Sequence, residues 1–176
     1  SKLSPQQFVS LLNDYGIRNP NIHASMSLCL GPCDVSVGEM VSAYTAFVNH
    51  GIRTAPLFVT RIEDNEGNVI AKFQPRMNEV ISSNSADKML VLLKGVVDEG
   101  TAGRMRHKFG FTGEMGGKTG TTNRNSDAWF MGLVPRLVRL LGWRRGSRHT
   151  FRHYAYGSRR FYGSAHLGLF LEEGVC

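Results

Sequence analysis

Apolar residues recur at helical spacing in three stretches of the chain, over Pro5–Tyr15, Ser36–His50 and Ser85–Glu99. Within each stretch they stand three or four positions apart, so they fall on one face of a helix. Gly16 and Gly51 follow the first two stretches, as is typical of helix ends. The predicted inward-facing residues are Phe8, Leu11, Leu12 and Tyr15 in the first helix, Met40, Ala43, Tyr44, Phe47 and Val48 in the second, and Met89, Leu92, Leu93, Val96 and Val97 in the third.

Alternating apolar and polar residues predict a β-hairpin between the second and third helices. Its strands run over Pro56–Glu63 and Val69–Phe73, and Asn65–Asn68 has the composition of the turn that joins them. Earlier in the chain, Ala24–Pro32 lacks either periodicity and is expected to be a loop. The hairpin carries no group that points to chemistry, so we interpret it as scaffold.

The part of the chain after the third helix predicts two more strands. Gly100–Gly103 breaks the helix, and Arg104–Met115 reads as a mobile connection. Strands are expected over Gly116–Thr122 and Asp127–Val134, and residues 123–126 form the turn between them.

Composition indicates a globular domain, or a part of one, whose charge is unevenly distributed. The 176 residues are 41% hydrophobic and 20% charged, and the net charge is +7. Residues 1–135 hold 13 Lys and Arg against 12 Asp and Glu, whereas residues 136–176 hold 8 Arg, no Lys and 2 Glu. No apolar run reaches the length of a membrane span. The chain does not begin with Met, and we expect upstream sequence to be missing.

The cysteines give little indication of a metal site. Cys29 and Cys33 stand in a Cys-Leu-Gly-Pro-Cys stretch, and a zinc site would need a second pair of ligands that the sequence does not supply. The two residues are either a local disulfide or ordinary small side chains. The cysteines therefore predict no zinc site, and we expect no metal and no cofactor.

The stretch Gly116–Thr122 is the one whose residues indicate a particular chemistry. Lys118 supplies positive charge, Thr119 and Thr121 supply hydroxyl groups, and Gly120 leaves the backbone open to a ligand. Such a strand suits an extended anionic substrate. Lys-Thr-Gly is also a motif of penicillin-binding proteins and class A β-lactamases.

Two other interpretations of this stretch compete with a substrate strand. A phosphate-binding P-loop would need a Gly five residues before Gly117, and that position is Thr112. A Gly-rich turn with no chemistry is the simplest alternative.

Two look-alike motifs precede this strand. Ser85-Ala86-Asp87-Lys88 fits a Ser-x-x-Lys nucleophile pattern, and Ser82-Ser83-Asn84 fits Ser-x-Asn. We interpret Ser85 as the N-cap of the third helix and Lys88 as a solvated residue beside its apolar stripe. No nucleophile is therefore assigned within this chain.

From Pro5 to Val134 the chain resembles the transpeptidase domain of class A penicillin-binding proteins, which are bifunctional peptidoglycan glycosyltransferases and transpeptidases. The family order is Ser-x-x-Lys, then Ser-x-Asn, then a distant Lys-Thr-Gly, so the two look-alikes stand in the wrong order and too close to Lys118. The stretches that carry the resemblance are Gly38–Phe47, Asp98–Ala102, Gly116–Thr122 and Asp127–Phe130.

The resemblance implies an α/β (α+β) fold in which helices flank an antiparallel sheet, and a serine acyl-enzyme that cross-links D-Ala-D-Ala stem peptides and binds β-lactams. It implies that Lys118 and Thr121 serve catalysis, the latter through its backbone N–H in an oxyanion hole. It implies that Thr119, Gly120, Thr121 and Thr122 contact substrate. The nucleophile and the membrane anchor would lie upstream, the protein would lie in the bacterial cell envelope, and the chain alone would be inactive.

The tail departs from the resemblance. Residues 135–176 are rich in Arg, where the family continues with a Trp-Val-Gly-Gly strand and a Gly-Gln-Gly-Ala stretch. One choice of permitted codons for residues 141–175, read one base out of register, contains both. We therefore divide the chain into 1–134, the transpeptidase part, and 135–176, a frameshifted and poorly packed tail. The competing hypothesis is a non-catalytic basic module that binds an anionic polymer or nucleic acid through this tail. The transpeptidase interpretation expects no nucleic acid partner.

Overall fold

The computed structural model describes residues 4–121, 127–134 and 137–144, with only the backbone described for 127, 128 and 137–144. The chain divides into two compact units, Ser1–Ala86 and Asp87–Cys176. Within the described residues, no helix combines the length and apolarity needed to cross a bilayer. Residue Thr122 and the tail beyond Arg144 lie outside the described residues.

The first unit contains two helices with matching N-terminal caps. Helix α1 runs over Pro5–Asp14 and helix α2 over Val37–Val48. The hydroxyls of Ser4 and Ser36 each accept a hydrogen bond from the backbone N–H three residues later. The side-chain oxygens of Gln7 and Glu39 accept in turn from the backbone N–H of Ser4 and Ser36. The two predicted helices are confirmed.

The segment between α1 and α2 contains a short 3₁₀ helix, Met26–Leu30, where a loop was predicted. Leu28 is buried in it, and its last turn closes on Gly31 in the left-handed region at φ 76°. The loop prediction was wrong here because a single buried Leu within five residues has no detectable period. Cys29 and Cys33 are free thiols in this region.

Four short strands complete the first unit as two antiparallel pairs. β1 (Ile52–Thr54) pairs with β4 (Met77–Glu79), and β2 (Arg61–Glu63) pairs with β3 (Val69–Lys72). The hairpin β2–β3 was predicted, but its first strand is confined to the last three residues of Pro56–Glu63. The pair β1–β4 was not predicted, because three-residue strands of mixed polarity carry no alternation signal.

The core of the first unit lies around α2 and β1. Ala43 and Ala46 are buried, and the rings of Tyr44 and Phe47 meet edge to face with centroids 5.3 Å apart. The buried Ser42 hydroxyl donates to the Thr54 carbonyl oxygen at 2.7 Å, which ties the helix to the strand. Of the apolar stripe predicted for the second helix, Ala43 is buried and Met40, Tyr44, Phe47 and Val48 are half-buried, whereas the buried Ser42 and Ala46 were not predicted.

The second unit combines most of α3 (Ser83–Asp98), the short helix α4 (Arg104–His107) and a three-stranded antiparallel sheet. The strands are β5 (Gly116–Thr121), β6 (Asp127–Val134) and β7 (Leu137–Arg144), in that order. The described part of the fold is thus the mixed α+β arrangement expected, with helices and antiparallel strands. One cluster of its buried residues consists of Val97, Ala102, Met105, Met115 and Phe130.

Helix α3 differs from its prediction in the face that it buries. Leu93 and Val97 are buried as predicted, but the Leu92 side chain is 66% exposed and Met89 is 37% exposed. The helix carries more apolar residues than one face can hold, so periodicity alone does not decide which stripe is covered. The exposed apolar residues lie on a stripe that no described residue covers.

The start of α3 also differs from its prediction. The helix begins at Ser83, so Ser85 is in the first turn and is not the N-cap. The Ser82 hydroxyl accepts the backbone N–H of Ser85 at 3.3 Å and is the capping group. By sequence alone, either Ser82 or Ser85 satisfies the capping pattern.

Strand β7 takes up the beginning of the segment that we treated as the tail. Its backbone pairs with β6 from Val134 opposite Leu137 to Asp127 opposite Arg144. The expectation of a frameshifted, poorly packed tail otherwise falls on residues outside the described ranges and stays a prediction.

Candidate active site

The Lys-Thr-Gly stretch forms β5, as predicted, and pairs with β6 along its whole length. Lys118 lies opposite Met131, Thr119 opposite Phe130 and Gly120 opposite Trp129. The first two residues of the strand are buried, and the exposed or half-buried part begins at Lys118. The chemistry-bearing residues therefore occupy the accessible end of a strand that its buried end holds in place.

Lys118 is exposed, and its ammonium donates to the carbonyl oxygen of Thr119 at 2.6 Å. Among the described residues, no carboxylate lies within ion-pair distance of this ammonium. An ammonium has three donors, so this contact leaves two of them for other acceptors. The strand thus presents a positive charge beside the Thr119 backbone.

The Thr119 hydroxyl has a partner that the sequence prediction missed. Its Oγ1 lies 2.8 Å from Oγ1 of Thr101, a hydrogen bond in which either oxygen can donate. Thr101 belongs to the turn that follows α3, and both side chains are half-buried. The Asp98–Ala102 stretch carried part of the family resemblance, but nothing in its composition indicates a contact with a strand 18 residues later.

The glycines of β5 differ in what requires them. A Cβ at Gly117 would lie 2.4 Å from Cζ of the buried Phe130 side chain and 2.8 Å from the Met131 carbonyl oxygen. A Cβ at Gly120 would lie 3.6 Å from Cβ of Trp129, an ordinary contact, and its φ is outside the left-handed region. Packing therefore explains Gly117, whereas neither packing nor backbone geometry explains Gly120.

The segment before β5 is anchored by Arg106, although it was interpreted as a mobile connection. The guanidinium binds Oδ1 of Asp98 through Nε at 2.9 Å and Nη2 at 2.8 Å. Its Nη1 donates to the carbonyl oxygens of Phe111 at 2.7 Å and Gly113 at 2.6 Å. The sequence did not predict these contacts, because a single Arg that donates to backbone carbonyls leaves no periodic pattern.

A second polar contact holds the same segment. Lys94 of α3 pairs with Glu114 at 2.9 Å, immediately before the buried Met115. Both ends of this pair are exposed, so its contribution to stability is small. The pair joins the residue before Met115 to α3.

The other predicted site residues are placed as follows. Thr121 is half-buried at the end of β5, and Thr122 lies outside the described residues. Ser85 is exposed, and its hydroxyl lies 3.0 Å from that of Ser82. Over the described ranges, no group of three or more His, Cys, Asp or Glu residues is arranged to hold a metal ion.

Comparison with protein families gives one match over most of the chain. Residues 5–138 match the family described as "Penicillin binding protein transpeptidase domain". Penicillin-binding protein 1A of Neisseria meningitidis is 35% identical over 129 residues, which are 70% of this chain and 16% of that protein. Penicillin-binding protein 1A of Aquifex aeolicus is 35% identical over 118 residues, 67% of this chain and 16% of that protein. The chain thus spans about one sixth of the length of these relatives.

Solved structures share the fold. Penicillin-binding protein 1A from Haemophilus influenzae superposes with a TM-score of 0.71 and 23% identity, over 78% of this chain and 26% of that one. Penicillin-binding protein PonA1 from Mycobacterium tuberculosis gives a TM-score of 0.71 with 19% identity, over 94% of this chain and 50% of that one. At these identities the likeness is one of fold.

Proposed function

The chain belongs to the penicillin-binding protein transpeptidase family, and from this premise we propose that β5 is the substrate-binding strand of a serine-type D-Ala-D-Ala transpeptidase. The observation that carries the proposal is Gly120, an exposed glycine that neither packing nor backbone geometry requires. A glycine is needed there if a ligand backbone lies directly against the strand. The exposed Lys118 ammonium and the Thr119 hydroxyl flank that position.

Each group on the strand has a role that suits its chemistry. Lys118 holds charge and takes part in the proton network, and Thr119 and Thr121 donate to the substrate or drug carboxylate, joined by Thr122. The backbone N–H of Thr121 donates to the oxyanion that develops on the attacked carbonyl. The donors of Thr119 and Thr121 stand on a strand paired with β6, so their backbone is positioned before substrate arrives.

The reaction proceeds through a serine ester. A serine hydroxyl attacks the carbonyl carbon of the D-Ala-D-Ala bond, its proton passes to a base, and the terminal D-Ala leaves as an amine. The amine of a neighbouring stem peptide then attacks the ester, which releases the serine and forms the cross-link. We place that serine outside this chain, because the Ser-x-x-Lys pattern at Ser85 stands in the wrong order relative to Lys118.

This function defines the partners and the location. The ligands are peptidoglycan stem peptides and β-lactams, which acylate the same serine, and the site of action is the bacterial cell envelope, outside the inner membrane. The competing basic module depends on the Arg-rich tail, and the comparisons give it no support: the matched residues end at 138.

Labelling with a fluorescent penicillin tests the proposal. The chain is compared with an extended protein, in which the preceding transpeptidase residues of the Neisseria meningitidis relative are joined to it and the tail is supplied in both reading frames. We expect label on the extended protein and none on the chain alone. Lys118→Ala in the extended protein should lower labelling at least tenfold, as expected for loss of a charged group in an active site.

Two controls make the result decisive. Lys72→Ala removes an exposed lysine from β3 and should leave labelling unchanged. Label on the chain alone that disappears in Ser85→Ala would show that the nucleophile is Ser85 and would overturn our assignment. An extended protein that takes no label in either frame would refute the proposed activity.

A further inference from the structure

The hydrogen bond between Thr101 and Thr119 has no part in the function proposed above. The two hydroxyl oxygens lie 2.8 Å apart, within the second unit and partly shielded from water. Thr119 is the strand hydroxyl proposed to bind the substrate carboxylate, and Thr101 reaches it from the turn after α3. The inference below rests on that proposed role of Thr119.

The direction of this hydrogen bond is fixed once an anion binds. A threonine hydroxyl has one proton to donate, and a carboxylate can only accept. If Thr119 donates its proton to a carboxylate, it can only accept from Thr101. The geometry points to Thr101 as a positioning residue that supplies the donor to Thr119 and so directs the Thr119 proton toward an anionic ligand.

Thr101 is held rigidly enough for this role. The next residue, Ala102, is fully buried and its N–H donates to the Val96 carbonyl oxygen at 2.9 Å. Asp98 precedes the turn and Arg106 follows it, and the two form an ion pair with Arg106 Nη2 2.8 Å from Asp98 Oδ1. The turn is therefore formed before a ligand arrives, which lowers the cost of ordering the Thr119 hydroxyl on binding.

The contact itself is tested on the 176-residue chain. Thr101→Val removes the hydroxyl at nearly constant shape, Thr101→Ser keeps it, and Thr112→Val is a control at an exposed threonine before β5. The side-chain rotamer of Thr119 is read from three-bond NMR couplings to its methyl carbon. We expect one rotamer in the unchanged chain, in Thr101→Ser and in Thr112→Val, and averaging over several in Thr101→Val. A Thr119 rotamer that is unaffected by Thr101→Val, or already averaged in the unchanged chain, overturns the inference.

The functional consequence is tested in the extended protein. The second-order rate constant of acylation is measured with a penicillin and with the methyl ester of the same penicillin, which lacks the carboxylate charge. Thr101→Val should lower the constant about tenfold for the free acid, the range expected when a hydrogen bond to a charged group is weakened, and less than about twofold for the ester. Thr101→Ser should restore it.

The outcomes separate the inference from the proposed function. Equal losses for acid and ester would show a general structural effect and overturn the positioning role. Absence of acylation in the unchanged extended protein would refute the proposed function, and the rotamer measurement would still decide whether Thr101 orders Thr119.

Discussion

Gly117→Ala is the substitution whose effect the structure determines most directly. The added Cβ would lie 2.4 Å from Cζ of Phe130 and 2.8 Å from the Met131 carbonyl oxygen. Carbon atoms in contact stand about 3.5–4.0 Å apart, so the Phe130 ring has to retreat by about 1 Å. Phe130 is fully buried in the core of the second unit, which leaves it little room.

The expected cost follows from these two contacts. Overpacking a well-packed core typically costs about 1–3 kcal/mol. Met131 contributes a backbone oxygen from the paired strand, so relief by side-chain rotation alone is impossible and β6 itself has to move. We therefore expect Gly117→Ala to lower the free energy of unfolding of the second unit by about 2–3 kcal/mol.

The assay is urea unfolding, monitored by hydrogen exchange of the peptides that cover β6, because these peptides report on the second unit alone. With a urea slope of about 2 kcal/mol per molar, the midpoint should fall by about 1 M. Gly120→Ala is the matched control on the same strand, where the new Cβ makes an ordinary contact of 3.6 Å. It should change stability by less than about 0.5 kcal/mol while reducing penicillin labelling of the extended protein.

A double-mutant cycle identifies the cause. Phe130→Leu removes the atom that clashes. The stability lost in the double variant, Gly117→Ala with Phe130→Leu, should therefore be smaller than the sum of the losses in the two single variants by about 1 kcal/mol. Gly117→Ala with the stability of the unchanged chain would refute the steric argument. Strictly additive losses would show that the Phe130 ring is not the obstacle.

Three further predictions concern Arg106, Glu39 and the reading frame of the tail. Arg106→Met should destabilise the second unit by about 3 kcal/mol, measured by the same exchange assay, because it leaves two carbonyls and the Asp98 carboxylate without their donor; an unchanged midpoint would contradict the anchoring role. The Glu39 carboxylate accepts hydrogen bonds from the backbone N–H of Ser36, which has the larger effect, and from the backbone N–H of Arg18. Both lower the pKa of Glu39. A group whose pKa is lower in the folded state stabilises the protein at pH values above its unfolded pKa. The stability difference between the unchanged chain and Glu39→Gln should therefore be present at neutral pH and disappear as pH falls through the folded pKa. Urea unfolding across pH 2–7 measures this difference, and a difference that stays constant would refute the prediction. DNA sequencing across codons 135–141 should reveal the base gained or lost, and the present frame in independent reads would exclude a sequencing error.

Much of the local structure was predictable from the sequence because its causes are local. Both capping boxes are formed by a Ser and a Gln or Glu three residues later, and the apolar stripe of α2 includes the buried Ala43. The strand β5 and its partner β6 were recognisable from glycine and β-branched residues. These features depend on neighbours within a few positions, where sequence spacing is a fair guide to distance.

The candidate site was predictable in part. Lys118, Thr119, Gly120 and Thr121 were named from one motif, and the structure places all four on one accessible strand end. Thr101 was not named, because a hydrogen bond across 18 residues depends on how the turn after α3 meets β5. The requirement for glycine at position 117 likewise depends on a ring carried by another strand.

The sequence by itself determined the family resemblance, the presence of α1 and α2 and the chemical groups on β5, since each resides in a short run of residues. Tertiary structure alone decided which stripe of α3 is buried, how Arg106 fastens the chain before β5, and that Thr101 contacts Thr119. The physical reason is that burial and side-chain hydrogen bonds are set by the surface an element meets. That surface is made by residues distant in the chain, and nothing in the element's own spacing records it.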